Sequence, residues 1–140
     1  MAARLVPALE WLVRDFQERS GLQCELEVDE DLVLDELHST ALFRICQESL
    51  TNVARHSQAS RVHISLRHIG ASVVLTISDN GRGITQEELD DPHSFGIIGM
   101  RERARALRGE ALFENGPRGG VVLRVSLPLP AEPPSAGTDG

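Results

Sequence analysis

The chain has 140 residues, 41% of them hydrophobic and 25% charged, with a formal net charge of -7. That size suits one domain with one core, and the acidic balance speaks against a nucleic-acid binder, which normally shows a basic face. No run of about 18 apolar residues is present to span a membrane. Cys24 and Cys46 are too few and too far apart for a zinc site, so they read as buried free thiols in a cytosolic environment.

Leu5, Leu9, Leu12, Val13 and Phe16 recur at three- and four-residue spacing, which predicts a helix to about Arg19, stopped at Ser20-Gly21. Pro7, Glu10, Arg14 and Asp15 interrupt any signal-peptide apolar core in this stretch. The chain is therefore expected to be soluble and cytoplasmic as it stands, while open to attachment to a larger membrane-bound sensor. "LQCELEV" alternates like a half-buried strand, and the acidic "DEDLVLDEL" follows it. Residues 39–57 predict a second helix, capped by Ser39 or Thr40, with Leu42, Ile45, Cys46, Ser49, Leu50 and Val53 on one face.

"SRVHISLRHI" and "SVVLTIS" alternate as the two strands of a hairpin turning at Gly70-Ala71. Residues 80–95 are rich in Gly, Asp and Pro, show no periodicity and read as a loop. A third helix is predicted from about Ile97 to a stop at Gly109. "EALFEN" and "GVVLRVSLPL" make a closing hairpin around Asn115–Gly120, and "PAEPPSAGTDG" has the composition of a disordered tail. Three helices with hairpin-forming strands predict an α/β fold, a two-layer sandwich.

Three stretches carry chemistry. In "ISDNGRGI", Asn80-Gly81 is a strong hairpin signal, yet "TQEELDDPHS" beyond it is acidic and aperiodic and cannot supply the partner strand. A glycine pair after a strand, followed by an irregular loop, instead suits close approach of a flat ring, because Gly81 and Gly83 have no Cβ. Asp79, at the strand's end, could accept a hydrogen bond from an exocyclic amine. In "FGIIGMRERA", Gly96 and Gly99 flank a helix start whose amides and dipole suit an anion, with Arg101 and Arg103 nearby. On the second helix, at about 100° per residue, Glu48 and Asn52 lie within roughly 40° of each other, with Arg55 on the same sector. Together they offer a carboxylate base, an amide oxygen for a hard cation and a charge for a phosphate. No G-x-x-x-x-G-K-[ST] is present, which excludes a P-loop enzyme.

In order and spacing, "FRICQESLTNVARHS" resembles the N box, and "DNGRGI" and "FGIIGMRERARAL" the two glycine boxes, of the Bergerat-fold ATPases. That superfamily holds gyrase, mismatch-repair MutL and bacterial histidine kinases. The run into "MRERA" is similar to the ATP-binding domain of sensor histidine kinases of the nitrate-sensor-like class, over about residues 5–129. The resemblance implies a mixed, mostly antiparallel sheet with about three helices on one face. It divides the chain into a catalytic domain over residues 1–129 and a disordered tail over 130–140.

The same resemblance implies ATP and Mg²⁺ as ligands. Asn52 then coordinates Mg²⁺ and Glu48 helps to activate the nucleophile, while Arg55 and His56 approach the phosphates. Asp79 binds the adenine amine, Gly81 and Gly83 line the base pocket, and Gly96 and Gly99 close on the phosphates. Ile84, Ile98, Met100 and Arg101 count with them as nucleotide-binding positions, and residues 84–95 form a flexible lid. Implied partners are a dimerising histidine phosphotransfer domain of the same kinase and a downstream response regulator, with the isolated domain monomeric and no nucleic acid bound. None of His38, His56, His63, His68 and His93 sits in an acceptor-like helix, so the γ-phosphoryl is expected to pass to a histidine elsewhere. An alternative on the same fold is an anti-sigma-factor serine kinase or a chaperone-type ATPase. The sequence departs from the pattern at the last strand, where Val121 or Val122 occupies the region in which many members carry a threonine supporting the adenine site.

Overall fold

The computed structural model describes residues 5–29, 32–117 and 119–130. The tail from residue 131 onward therefore lies outside the described residues. The first helix, α1 (Leu5–Ser20), buries Leu5, Leu9, Leu12, Val13 and Phe16, the stripe that its spacing predicts. It stops where the Ser20 hydroxyl donates to the Phe16 carbonyl at 2.6 Å and Gly21 turns into the left-handed region at φ 75°. Strand β1 (Gln23–Val28) follows.

Helix α2 (Glu36–Asn52) begins three residues before the sequence-based expectation. Its cap is Asp35, not Ser39 or Thr40: the Asp35 carboxylate accepts from the His38 N–H at 2.8 Å. That hydrogen bond is the main reason why the Asp35 carboxyl is held below its ordinary range. Ser39, one turn inside the helix, is buried instead, and its hydroxyl has no hydrogen-bond partner among the described residues. The buried His38 ring then bridges the Asp35 carboxylate at 2.8 Å and the Pro128 carbonyl at 3.0 Å, tying the start of α2 to the end of the last strand. The far end of α2 runs into a π-helical turn, Val53–Ser57.

Strands β2 (Arg61–Ile69) and β3 (Ser72–Asp79) pair antiparallel, with Ile69 opposite Ser72 across the Gly70-Ala71 turn. Residues 80–95 are not wholly irregular. A short helix, α3 (Gln86–Asp90), forms there behind a capping box in which Thr85 and Glu88 satisfy each other's backbone N–H groups. Helix α4 (Phe95–Ala106) starts two residues before Ile97, and β4 (Glu110–Asn115) and β5 (Val121–Pro128) close the chain as a hairpin.

The sheet has the order β1-β2-β3-β5-β4, parallel only between β1 and β2. One face of the strands supplies Val62, Ile64, Leu66, Val73, Leu75, Ile77, Leu123, Val125 and Leu127 to a single core with the apolar stripes of α1, α2 and α4. The other face is polar, with Glu27 paired to His63 at 3.5 Å and to Arg67 at 3.4 Å. This is the expected two-layer α/β sandwich, with three long α-helices and one short one among the described residues. The end of the sheet at Asp79 is left open between α2 and α4, and the functional residues gather there.

Candidate functional site

A cleft of about 430 Å³ opens between the last turns of α2, the end of β3, α3 and the first turn of α4. Its apolar walls include Ile77, Ile97, Met100, Phe113, Val121 and Leu123, contributed by both layers. Such a mixture of apolar wall and few polar groups is the usual form of a small-molecule site.

Glu48 and Asn52, one helical turn apart, both face this cleft, and the π-helical turn beyond them brings Arg55 and His56 to the same rim. Asp79, Gly83, Ile84, Gly96 and Met100 also line it. Gly81, Ile98, Gly99 and Arg101 do not. The Arg101 guanidinium lies over the Phe113 ring at 5.5 Å, a cation–π contact behind the apolar wall.

Asp79 is held from the backbone. Its Oδ1 accepts from the Gly81 N–H at 2.8 Å and the Val121 N–H at 3.4 Å, while its Oδ2 has no hydrogen bond among the described residues. The backbone comes this close because Gly120 is at φ 78°, and a Cβ there would overlap the Asp79 carbonyl oxygen. Asn80 is a strut and not a hairpin corner. Its Oδ1 accepts from the Ser60 and Arg61 N–H groups at 2.9 and 3.1 Å, which anchors the glycine loop to the start of β2.

The other side of the loop is clamped by Asn115, which accepts from the Ile84 N–H at 2.7 Å and donates to the Ile84 carbonyl at 2.9 Å. Gly83, at φ 88°, packs against that same amide, and any Cβ would run into Asn115 Oδ1. Gly96 serves a different purpose: a Cβ there would meet the Glu48 carboxylate, so glycine lets α4 begin against the acid. Ser94 precedes α4 without capping it through its side chain, which is spent on the Glu88 carbonyl at 3.0 Å. The positive end of α4 therefore faces the cleft with no side-chain cap.

Gly120, Asn115, Arg82 and Glu88 belong to this site but escape a reading of the sequence motifs. Gly120 had a signal in the Gly119-Gly120 pair before a strand, and Glu88 had one in the Thr-x-x-Glu capping pattern. Asn115 had none.

Residues 38–131 match the family model described as histidine kinase-, DNA gyrase B- and HSP90-like ATPase. The signal transduction histidine-protein kinase/phosphatase DegS of Brevibacillus brevis is 33% identical over 129 residues, which are 91% of this chain and 33% of that relative. The nitrate/nitrite sensor protein NarX of Escherichia coli K12 is 32% identical over 124 residues, 88% of this chain and 21% of that protein. The chain thus spans a third or less of the length of these relatives. Among solved structures, the ATP-binding domain of PrrB from Mycobacterium tuberculosis superposes with a TM-score of 0.72 at 26% identity, covering 89% of this chain and 93% of that one. The histidine kinase domain of the Erythrobacter litoralis EL346 blue-light activated kinase shares the fold, with a TM-score of 0.77 at 18% identity over 89% of this chain and 61% of that one.

Proposed function

The chain belongs to the histidine kinase-, DNA gyrase B- and HSP90-like ATPase family, and from that premise we propose that residues 1–129 are the ATP-binding catalytic domain of a two-component sensor histidine kinase. The observation that carries the reading is the meeting of Glu48, Asn52, Asp79 and Gly96 around one cleft, from three separate stretches of chain.

In this reading the adenine ring enters between the apolar walls, and its amine donates to the unengaged Oδ2 of Asp79. The Val121 backbone N–H supports Asp79 directly. The triphosphate runs past Arg55 and His56 toward the uncapped start of α4, where amides and dipole favour negative charge. Asn52 would hold Mg²⁺ together with phosphate and water oxygens. No group of three or more His, Cys, Asp or Glu side chains suited to a metal exists among the described residues. An amide oxygen with phosphate and water oxygens fits a hard cation that takes few ligands from the protein. When bound, the ion neutralises phosphate charge. Glu48, beside the start of α4, is placed to take a proton from, or to orient, an incoming imidazole. Phosphoryl transfer depends mainly on such positioning and charge neutralisation.

The acceptor histidine lies on a separate dimerising domain of the kinase, and a response regulator receives the phosphoryl group next. No helix of the described residues is long and apolar enough to cross a membrane, and the proposed setting is the cytoplasmic side of a sensor.

Titration calorimetry with Mg²⁺ and adenylyl imidodiphosphate tests the reading. Binding is expected for the unaltered chain, with Asp79→Ala weakening it by about tenfold or more, because an unpaired base amine loses its only acceptor. No heat at millimolar nucleotide would refute it.

A further inference from the structure

The guanidinium of Arg82, between the two glycines of the loop, joins three elements at the rim of the cleft. Its Nε donates to the His56 carbonyl at 2.7 Å, on the π-helical turn that ends α2. Its Nη2 donates to Glu88 Oε2 at 2.7 Å and its Nη1 approaches Glu88 Oε1 at 3.4 Å, on α3. Glu88 Oε1 also accepts from the Thr85 N–H at 2.9 Å, so the carboxylate that meets Arg82 also caps α3. Arg82, His56 and Glu88 all line the cleft.

We propose that Arg82 is a positioning residue for nucleotide binding, a latch that seats α3 at the cleft's rim and registers it against the turn carrying Arg55 and His56. The proposal rests on the reading of the cleft as an ATP site. Its physical basis is how little else holds α3: one partly buried leucine, Leu89, and the Ser94 hydroxyl on the Glu88 carbonyl. The helix has five residues, none of them buried, and a helix this short has no stability of its own in water. Only Leu89 packs, partly buried, against the core, so polar contacts must do much of the placing. A guanidinium is the one side chain whose planar fork can serve a carbonyl through Nε and a carboxylate through its other two nitrogens at once. The Arg82 contact is also the main reason why the Glu88 carboxyl is held down to about 2. Without Arg82, an uncompensated carboxylate would face the polyphosphate path.

The consequence differs along the nucleotide. Among the described residues Arg82 has no hydrogen bond with Asp79, whose partners are the Gly81 and Val121 N–H groups, so the base should sense its loss far less than the triphosphate. For Arg82→Ala we expect affinity for adenylyl imidodiphosphate to fall about tenfold while affinity for adenosine changes less than twofold. Amide exchange at Glu88 and Leu89, followed by NMR without nucleotide, should quicken by about tenfold, as both N–H groups bond within the α3 cap. Arg82→Lys keeps the charge but cannot span both partners, and should recover only part of each effect. In a Glu88→Ala background, Arg82→Ala should add little to the exchange rate, because the two act as one unit.

Unchanged exchange at Glu88 and Leu89 in Arg82→Ala would overturn the latch, as would equal losses for adenosine and the triphosphate analogue. Additive effects of the two substitutions would overturn it too. If the unaltered chain bound no nucleotide, the ATP reading would fail, and the exchange measurements would still decide whether Arg82 seats α3.

Discussion

Gly120→Ala is the substitution with the most to say about this architecture. Gly120 is buried at φ 78°, and a Cβ built there would overlap the carbonyl oxygen of Asp79 and crowd its carboxylate Oδ1 at 2.8 Å. The left-handed conformation costs an alanine about 1 kcal/mol or slightly more. The overlap is with backbone and not with a flexible side-chain end, so a strand terminus must move, at a further 1–3 kcal/mol typical of overpacking. The sum is about 3 kcal/mol. For a domain of this length, each 1 kcal/mol lowers Tm by roughly 4 °C, which predicts a fall of about 12 °C in differential scanning calorimetry. The displaced Asp79 also predicts weaker adenine binding in the surviving folded protein, measured by calorimetric titration below Tm. A Tm within 2 °C of the parent together with unchanged nucleotide affinity would refute the argument that Gly120 admits Asp79 to its place.

The two glycines of "FGIIG" should behave differently. Gly99 has open space where a Cβ would go, so Gly99→Ala is expected to stabilise α4 by up to about 1 kcal/mol in urea denaturation. In Gly96→Ala the new methyl meets the movable end of Glu48, so Tm should hardly change while phosphoryl transfer in a reconstituted kinase falls. Glu88 is depressed in the fold from 4.5 to about 2. Its contribution is therefore fully present above pH 4.5 and is lost as pH falls through about 2. Both partners are more than a third exposed, which screens the pair to less than about 1 kcal/mol. The stability gap between the parent and Glu88→Gln, from urea melts, should be constant at pH 6 and close between pH 4 and 2. Burial pushes the thiols of Cys24 and Cys46 up to about 11 and about 12. Both should resist iodoacetamide at pH 8 in the native state and react in 6 M guanidinium, since only the thiolate attacks.

Where the site depended on residues near in sequence, the chain was legible. Glu48 and Asn52 are one helical turn apart, and any helix over that stretch puts them on one side. The absence of alternation after "DNGRG" showed that no partner strand follows. Two local features lie where one signal masks another. Asp35 outcompeted Ser39 for the cap of α2 because its carboxylate reaches the His38 N–H. In residues 80–95 the lack of periodicity hides the capping box that Thr85 and Glu88 make.

What the sequence determined by itself was therefore the set of elements and the chemistry carried on each, because helix periodicity, strand alternation and glycine's freedom act within a few residues. The tertiary structure decided which groups hold those chemical ones in place. Strand β5 lies between β3 and β4, and that order alone brings the Val121 N–H to Asp79 across 42 positions and Asn115 to Ile84 across 31. No local pattern encodes these meetings. They arise because the antiparallel pairing of β3 with β5 and of β5 with β4, set by burying one apolar face of the sheet, brings the end of β3, the end of β4 and the start of β5 together at the cleft.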